Sequence, residues 1–276
     1  MTSSKSTISI RPPQRWIGLN LSELWEYRDL LYLFVWRNLK IRYKQTILGA
    51  SWAVIQPFFT MVVFSIFFGE LAGISSDGIP YPVFAYAALV PWMYFSNAVS
   101  QASSSLTDQE EVLTKIYYPR LIAPVASILT GIVDFSIAFA VLLVMMLVYG
   151  ILPTGRIWLL PFFVLLAMAA SLGVGLWLSA LNVSYRDVRH AVPFLLQFWL
   201  FSTPVAYSSQ LVPASWQTIY GLNPMVGVVE GFRWALLNSG SVSIPLVLAS
   251  TGMVGVLIVS GFYYFRHTEQ TLADII

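Results

Sequence analysis

The chain has 276 residues, 57% of them hydrophobic and 10% charged, with a formal net charge of +2. Soluble domains carry roughly 25% charged residues, so this composition excludes an ordinary soluble globule and indicates an integral membrane protein. Cysteine is absent, which excludes a disulfide framework and thiol chemistry and leaves the redox compartment undetermined.

Residues 1–19 are polar, contain Pro12-Pro13 and show no apolar run. They are expected to form a flexible N-terminus without a cleavable signal peptide, so that the first span acts as its own insertion signal. Residues 20–276 read as a single transmembrane domain. Asn20 to Trp36 is an amphipathic helix: Leu24, Tyr27, Leu31 and Phe34 recur at steps of three and four. Asn20 and Glu23 have capping-box spacing. Glu23, Glu26 and Asp29 come early and Arg37 and Lys40 late, the order a helix dipole favours. Such a helix can lie along the membrane surface or pack on the protein's own spans, and the two are compatible.

Arg37, Lys40, Arg42 and Lys44 then precede a stretch without charge from Gln45 to Gly69. Basic residues stay on the cytoplasmic side and apolar runs of about 20 residues span a bilayer. Charge-free runs predict six spans, at about 48–69, 83–107, 121–149, 157–181, 191–208 and 243–265. With the N-terminus inside, 13 of the 15 Lys and Arg residues fall in cytoplasmic segments, Arg156 and Arg233 excepted. That asymmetry predicts six spans with both termini cytoplasmic.

Ser209 to Val242 is too apolar for a solvated loop, and Asn223-Pro224 breaks it in the middle. Two short helices dipping back into the outer leaflet fit the pattern, provided protein or a cavity covers them. Glu230 and Arg233 stand i,i+3 and are placed to pair. Gly227 and Gly231 permit close helix approach.

Little in the chain suggests catalysis. Gly150 to Ile157 is a near miss to a P-loop without its Lys-Ser/Thr ending, and reads as a turn between spans. His190 and His267 stand far apart, with no cluster of metal-ligand spacing. Asp134 interrupts the third span and has no evident partner in the sequence. A carboxylate there costs ~2.5–3.5 kcal/mol on insertion scales, and so is either a buried acid that orders packing or a functional group. Ser96, Ser100, Ser103 and Thr107, joined by Asn97 and Gln101, mark the second span for helix contact or for a hydrophilic, uncharged path. Most aromatic residues fit interfacial belts, but Phe58, Phe59, Phe64, Phe198, Trp199 and Phe201 lie deeper. The loop 108–120 carries Glu111 and Lys115 at i,i+4 before Tyr117-Tyr118-Pro119, and reads as a connector or as a docking element exposing charge and aromatic rings.

Four stretches together carry a resemblance. They are Arg37 to Gly49 leading to Trp52 and Gln56-Pro57; Lys115-Ile116-Tyr117-Tyr118-Pro119-Arg120; Asn182-Val183-Ser184-Tyr185-Arg186-Asp187-Val188; and Leu222-Asn223-Pro224-Met225. From about residue 20 onward the chain resembles the membrane permeases of type-two ABC exporters for polysaccharides, of the O-antigen, capsule or teichoic acid type, with the O-antigen branch favoured.

The resemblance implies a homodimer of permeases in the bacterial inner membrane, joined by two separate ATPase subunits that hold the ATP and Mg. It implies a lipid-linked glycan passing between the two permeases, with no cofactor in this chain and no nucleic-acid partner. The N-terminal helix and Glu110, Glu111, Lys115, Tyr117 and Tyr118 would contact the ATPase. Spans one and five would line the channel, placing Phe58, Phe59, Phe198, Trp199 and Phe201 on the substrate path. Asn223, Pro224, Glu230 and Arg233 would shape the outer mouth. The alternatives are a type-two exporter of a drug or lipid, a membrane enzyme acting on lipid-linked sugars, and a proton-driven transporter working through Asp134.

Overall fold

The computed structural model describes residues 25–44, 49–109, 118–237 and 243–275. Every regular element among them is helical: α1 (Arg28–Lys44), α2 (Trp52–Phe64), α3 (Tyr81–Ser104), α4 (Ile122–Val148), α5 (Leu160–Ser184), α6 (Val188–Phe201), α7 (Ala214–Gly221), α8 (Pro224–Leu237) and α9 (Ile244–Ile275). A π-helix, Ser65–Leu71, continues α2. Among the described residues, Trp52–Leu71, Ile122–Val148, Ile157–Ser184 and Ile244–Glu269 are long and apolar enough to cross a membrane. They match the first, third, fourth and sixth expected spans.

The second expected span is α3, and it is the hub. At 24 residues it is about 36 Å long, enough to cross, but its Ser, Asn and Gln content makes it less apolar than the others. The reason lies in its surroundings. Residues Val83 to Val90 are fully enclosed, and α2, α4, α5, α6 and α8 all pack against α3. A helix wrapped by protein has no lipid-facing surface to keep apolar, so polar residues are tolerated where neighbours satisfy them. Asn182 of α5, for example, donates to the Ser103 carbonyl at 2.9 Å and to Thr107 Oγ1 at 3.4 Å. The Ser103–Thr107 end of the polar stripe therefore serves helix contact.

The fifth expected span, 191–208, is shorter than the sequence suggests. Helix α6 has 14 residues, or about 21 Å, and turns replace it after Phe201. Pro204 lacks an amide hydrogen and disfavours helix at Thr203. The carbonyls freed beyond it are taken up by Arg233, as described below.

The break at Asn223-Pro224 is where the sequence puts it. Asn223 Oδ1 accepts from the Met225 amide at 3.0 Å and so caps α8, with Pro224 at its first position. Helix α8 is then almost wholly buried between α3, α5 and α9. Its glycines are contact points: a Cβ on Gly227 would lie 2.7 Å from Ser250 Cβ, and one on Gly231 2.0 Å from Phe163 Cε1.

Helices α5 and α9 approach closely, backbone to backbone. A Cβ on Gly261 would stand 2.5 Å from the Gly173 carbonyl oxygen, and one on Gly173 2.8 Å from the Ile258 nitrogen. Backbone cannot step aside as a side chain can. Gly261→Ala is therefore expected to destabilise by about 1–3 kcal/mol, the usual cost of overpacking. Thermal melting of the detergent-solubilised protein should show it, with Gly255→Ala, which meets open space, melting at or above the parent.

Two ends of the chain differ from expectation. Helix α9 does not stop near 265 but runs 32 residues, about 48 Å, and outlasts any bilayer core. Arg120 Nη1 donates to the Glu269 carbonyl at 3.0 Å, holding this extension to the start of α4. Helix α1 likewise runs past Trp36, so the basic stretch is helical through Lys44. Phe34 packs with Tyr118, Ile122 and Ala126, flanked by Tyr27 and Leu31, while Tyr32, Leu33, Trp36 and Ile41 are exposed. One face of α1 thus lies on the protein and an apolar, aromatic face is left bare.

That packing corrects one expectation. Tyr118 does not expose its ring: it is 4% accessible, with its centroid 5.2 Å from that of Phe34 and its hydroxyl donating to Gln109 Oε1 at 3.2 Å. Its place is under α1, because burying the ring there removes two aromatic faces from water at once. Glu110, Glu111, Lys115 and Tyr117, and the expected helix start at Asn20, lie outside the described residues.

Candidate functional site

Asp134 has partners that the sequence conceals. Arg42 Nη1 and the Tyr43 hydroxyl, both at the end of α1, donate to its two carboxylate oxygens. Burial, and next the hydrogen bond to Asp134, push the Tyr43 phenol well above its ordinary pKa, so it stays protonated and remains a donor. Nor is Asp134 deep within the bundle. It shares a cavity wall with Gly49 and Trp52, where α2 begins, so it sits at the level at which the first span starts.

That cavity has a partly polar wall. It has a volume of about 290 Å3 and is lined by α1, α2, α3 and α4. Arg42 and Tyr43, Gln56, Asn97, Gln101 and Asp134 give its polar wall; Trp52, Tyr94 and Phe135 give its rings. The Tyr94 hydroxyl is tied to the Ile128 carbonyl at 3.2 Å. Asn97 and Gln101 of the polar stripe thus face a cavity, while Ser103 and Thr107 face α5. Among the described residues, no three His, Asp or Glu side chains converge as metal ligands.

The aromatic residues expected on a substrate path divide into two groups. On α2 only Pro57, Met61 and Phe64 are buried, and on α6 only Val192 and Leu196. Phe58 and Phe59, the latter 63% accessible, and Phe198 and Phe201, the former 68% accessible, stand on the bare faces. Trp199 differs. Its indole donates to Asn223 Oδ1 at 2.9 Å and its ring meets Phe95 edge-on, centroids 5.1 Å apart. It is at once a structural strut and a wall of a groove of about 580 Å3 that also includes Tyr207, Pro213, Trp216, Tyr220 and Asn223.

At the end of the bundle opposite α1, Arg233 organises the backbone. It is 1% accessible and lies 3.6 Å from Glu230 and over the Phe84 ring at 3.6 Å. Its guanidinium donates to the carbonyls of Phe84 (3.2 Å), Pro204 (2.6 Å), Val205 (2.6 Å) and Tyr207 (3.2 Å). Glu230 accepts from the Ser209 amide at 3.1 Å. Asn223 Nδ2 reaches the Ser202 carbonyl at 3.1 Å and Thr203 Oγ1 at 3.0 Å. Asn223, Glu230 and Arg233 therefore fix the turns after α6 onto α8. The i,i+3 spacing predicts the Glu230–Arg233 pair; the carbonyls that complete it come from distant segments and leave no local signal.

The family model for ABC-2 type transporters matches residues 29–237. The chain belongs to the ABC-2 type transporter family. It is 33% identical over 214 residues to an O-antigen export system permease protein of Myxococcus xanthus, covering 76% of this chain and 81% of that one. Against a polysialic acid transport protein of Escherichia coli it is 23% identical over 208 residues, covering 73% of this chain and 78% of the relative. An inner membrane transport permease of Escherichia coli strain K12 is 29% identical over 227 residues, covering 76% and 84%. The permease is thus a multi-pass inner-membrane protein and a transport subunit of an ABC-2 exporter.

Proposed function

We propose that this permease moves a lipid-linked polysaccharide of the O-antigen kind across the cytoplasmic membrane, as a homodimer with two separate ATPase subunits. The observation that carries this reading is the pair of helix faces, on α2 and α6, that are aromatic, free of charge beyond Arg189 in the first turn of α6, and left bare by the fold. Facing their symmetry mates, they would wall a channel. Sugar rings present apolar C–H faces ringed by hydroxyls. An aliphatic wall would leave those hydroxyls unpaired at a few kcal/mol each, and charged walls would hold some sugars too tightly. Flat aromatic rings avoid both. In this reading α2 to α6 and α9 cross the membrane with both termini inside, α7 and α8 shape the outer mouth, and α1 with the 110–118 segment meets the ATPase. The functions for which the relatives are named, O-antigen export above all, support the choice of cargo.

The test is complementation. A host that makes the lipid-linked glycan but lacks its own permease, supplied with this chain and its ATPase, should display the glycan on its surface. ATPase activity that depends on the permease without any glycan export would instead favour another cargo, a reading the Escherichia coli K12 relative leaves open because its name specifies none.

Within that assay, single alanine replacements test the path. Phe58, Phe59, Phe198, Trp199 and Phe201 replaced one at a time should lower export for one residue of α2 and one of α6, at normal protein level. Loss of one stacking contact of about 0.5–1.5 kcal/mol corresponds to roughly two- to tenfold. If all five variants export like the parent, the rings are packing and the sugar travels elsewhere.

A further inference from the structure

The cavity between α1, α2, α3 and α4 opens beside the bare face of α2, with Trp52 and Gln56 exposed at its rim, and none of the five aromatic residues placed on the proposed transport route stands in its wall. Its chemistry is specific. Gln56 from α2 and Asn97 and Gln101 from α3 all line it, and among the described residues none of their side-chain amides has a hydrogen-bond partner in the protein. Each amide offers two donors and an acceptor with two lone pairs. The two charges in the wall, Arg42 and Asp134, are already engaged with each other. What the cavity presents to a ligand is therefore a ring of uncharged donors and acceptors, with Trp52 and Tyr94 supplying flat apolar surface. The exposed Trp52 stands at the start of the first span, the depth at which headgroups lie.

We infer that this cavity is a binding site for one uncharged sugar unit carried on a lipid anchor, and that it receives the membrane-proximal sugar of the glycan from the cytoplasmic leaflet. The inference deepens the proposed function and rests on it for the orientation and the cargo. Volume fits: about 290 Å3 lies just below the roughly 300–1,000 Å3 typical of drug-sized ligand sites, enough for a sugar but not a chain of them. Charge fits as well. A hydroxylated, neutral ring satisfies three amides, whereas a phosphate or an ammonium group would have to break the Arg42–Asp134 pair to find a counter-charge. The site would thus select for the sugar at the base of the glycan, leaving the polymer beyond it to the channel.

The absence of native cysteine makes a direct test simple. Ala53 lines the cavity and its replacement leaves all three amides in place, so Ala53→Cys reports occupancy by its rate of modification with N-ethylmaleimide. The full-length chain in lipid nanodiscs would be titrated with octyl β-glucoside below its micellar concentration and, separately, with octylphosphocholine. The glucoside should slow modification at least threefold and octylphosphocholine should not. Ser184→Cys, at the exposed end of α5, should react at one rate throughout. Adding Gln56→Ala and Asn97→Ala to Ala53→Cys should abolish the protection. Equal slowing by both amphiphiles, or none by either, would overturn the inference, and so would protection that survives loss of the amides. None of these outcomes depends on export, so a failed complementation assay and an empty cavity are told apart.

Discussion

Arg233→Met is expected to remove most folded protein from the membrane, and Glu230→Gln to remove much less. The arginine joins the Phe84 carbonyl of α3 to the three carbonyls of Pro204, Val205 and Tyr207. Methionine matches much of its length but donates nothing. Four carbonyls would lose this donor, three of them in buried bonds, and Glu230 would face a buried site without a cation. Removing one member of a buried ionic network costs about 3–5 kcal/mol, a large part of a stability that is itself about 5–15 kcal/mol. Glu230→Gln keeps an acceptor for the Ser209 amide and leaves Arg233 with its carbonyls, so it forfeits only the charge. Fluorescence-detected size exclusion of tagged variants in mild detergent would rank them. An Arg233→Met variant eluting like the parent at equal yield would show that the turns after α6 are held by packing alone.

The contrast between Arg233 and Asn223 shows what the sequence makes legible. Asn223 before Pro224 is a local signal, since capping and the missing proline donor act within one turn, and the break appears where expected. Apolar length is equally local, which is why α2, α4, α5 and the first part of α9 fall on expected spans. What depends on tertiary surroundings is not legible in this way. Helix α3 looks like a weaker span only because hydropathy measures what lipid requires, and α3 faces protein. The shortness of α6 depends on carbonyls that Arg233 satisfies from 26 to 29 positions away along the chain. Tyr118 reads as an exposed docking ring until Phe34 is seen to cover it. The bare faces of α2 and α6 carry their Phe residues in plain sight, but their bareness emerges only when the remaining helices have found one another.

Asp134 is the clearest such case, because its partner lies 92 residues away along the chain. Its pairing leads to a prediction that separates a tether from a proton carrier. Side chains of Arg42 and Asp134 are 26% and 19% accessible, so the pair is partly screened. Asp134→Ala should therefore cost roughly 2 kcal/mol, below the 3–5 kcal/mol of a fully buried pair, and should loosen α1 from α4. Limited trypsin digestion would read this as faster cleavage within the basic end of α1. Reversing the pair, Arg42→Asp with Asp134→Arg, should recover part of the protection that either single change loses. Asp134→Asn still accepts from Tyr43 and Arg42, so export should fall only in proportion to the folded permease that remains. A group that shuttles protons behaves otherwise: its amide would abolish transport at full protein level, and no reversal of charge would restore it. The tether also has somewhere to act. Phe135, the next residue, meets Tyr94 of α3 at 5.8 Å, Phe139 at 6.0 Å and Phe232 of α8 at 6.0 Å between ring centroids. Phe232 adjoins Arg233, so a displacement of α1 that pulls on Asp134 bears, through one cluster of packed rings, on the helix that holds the opposite end of the bundle. Phe135→Leu should then weaken the dependence of export on the Arg42–Asp134 pair, so that the double change costs less than the two single changes combined. Strict additivity in that cycle would confine the tether to anchoring α1.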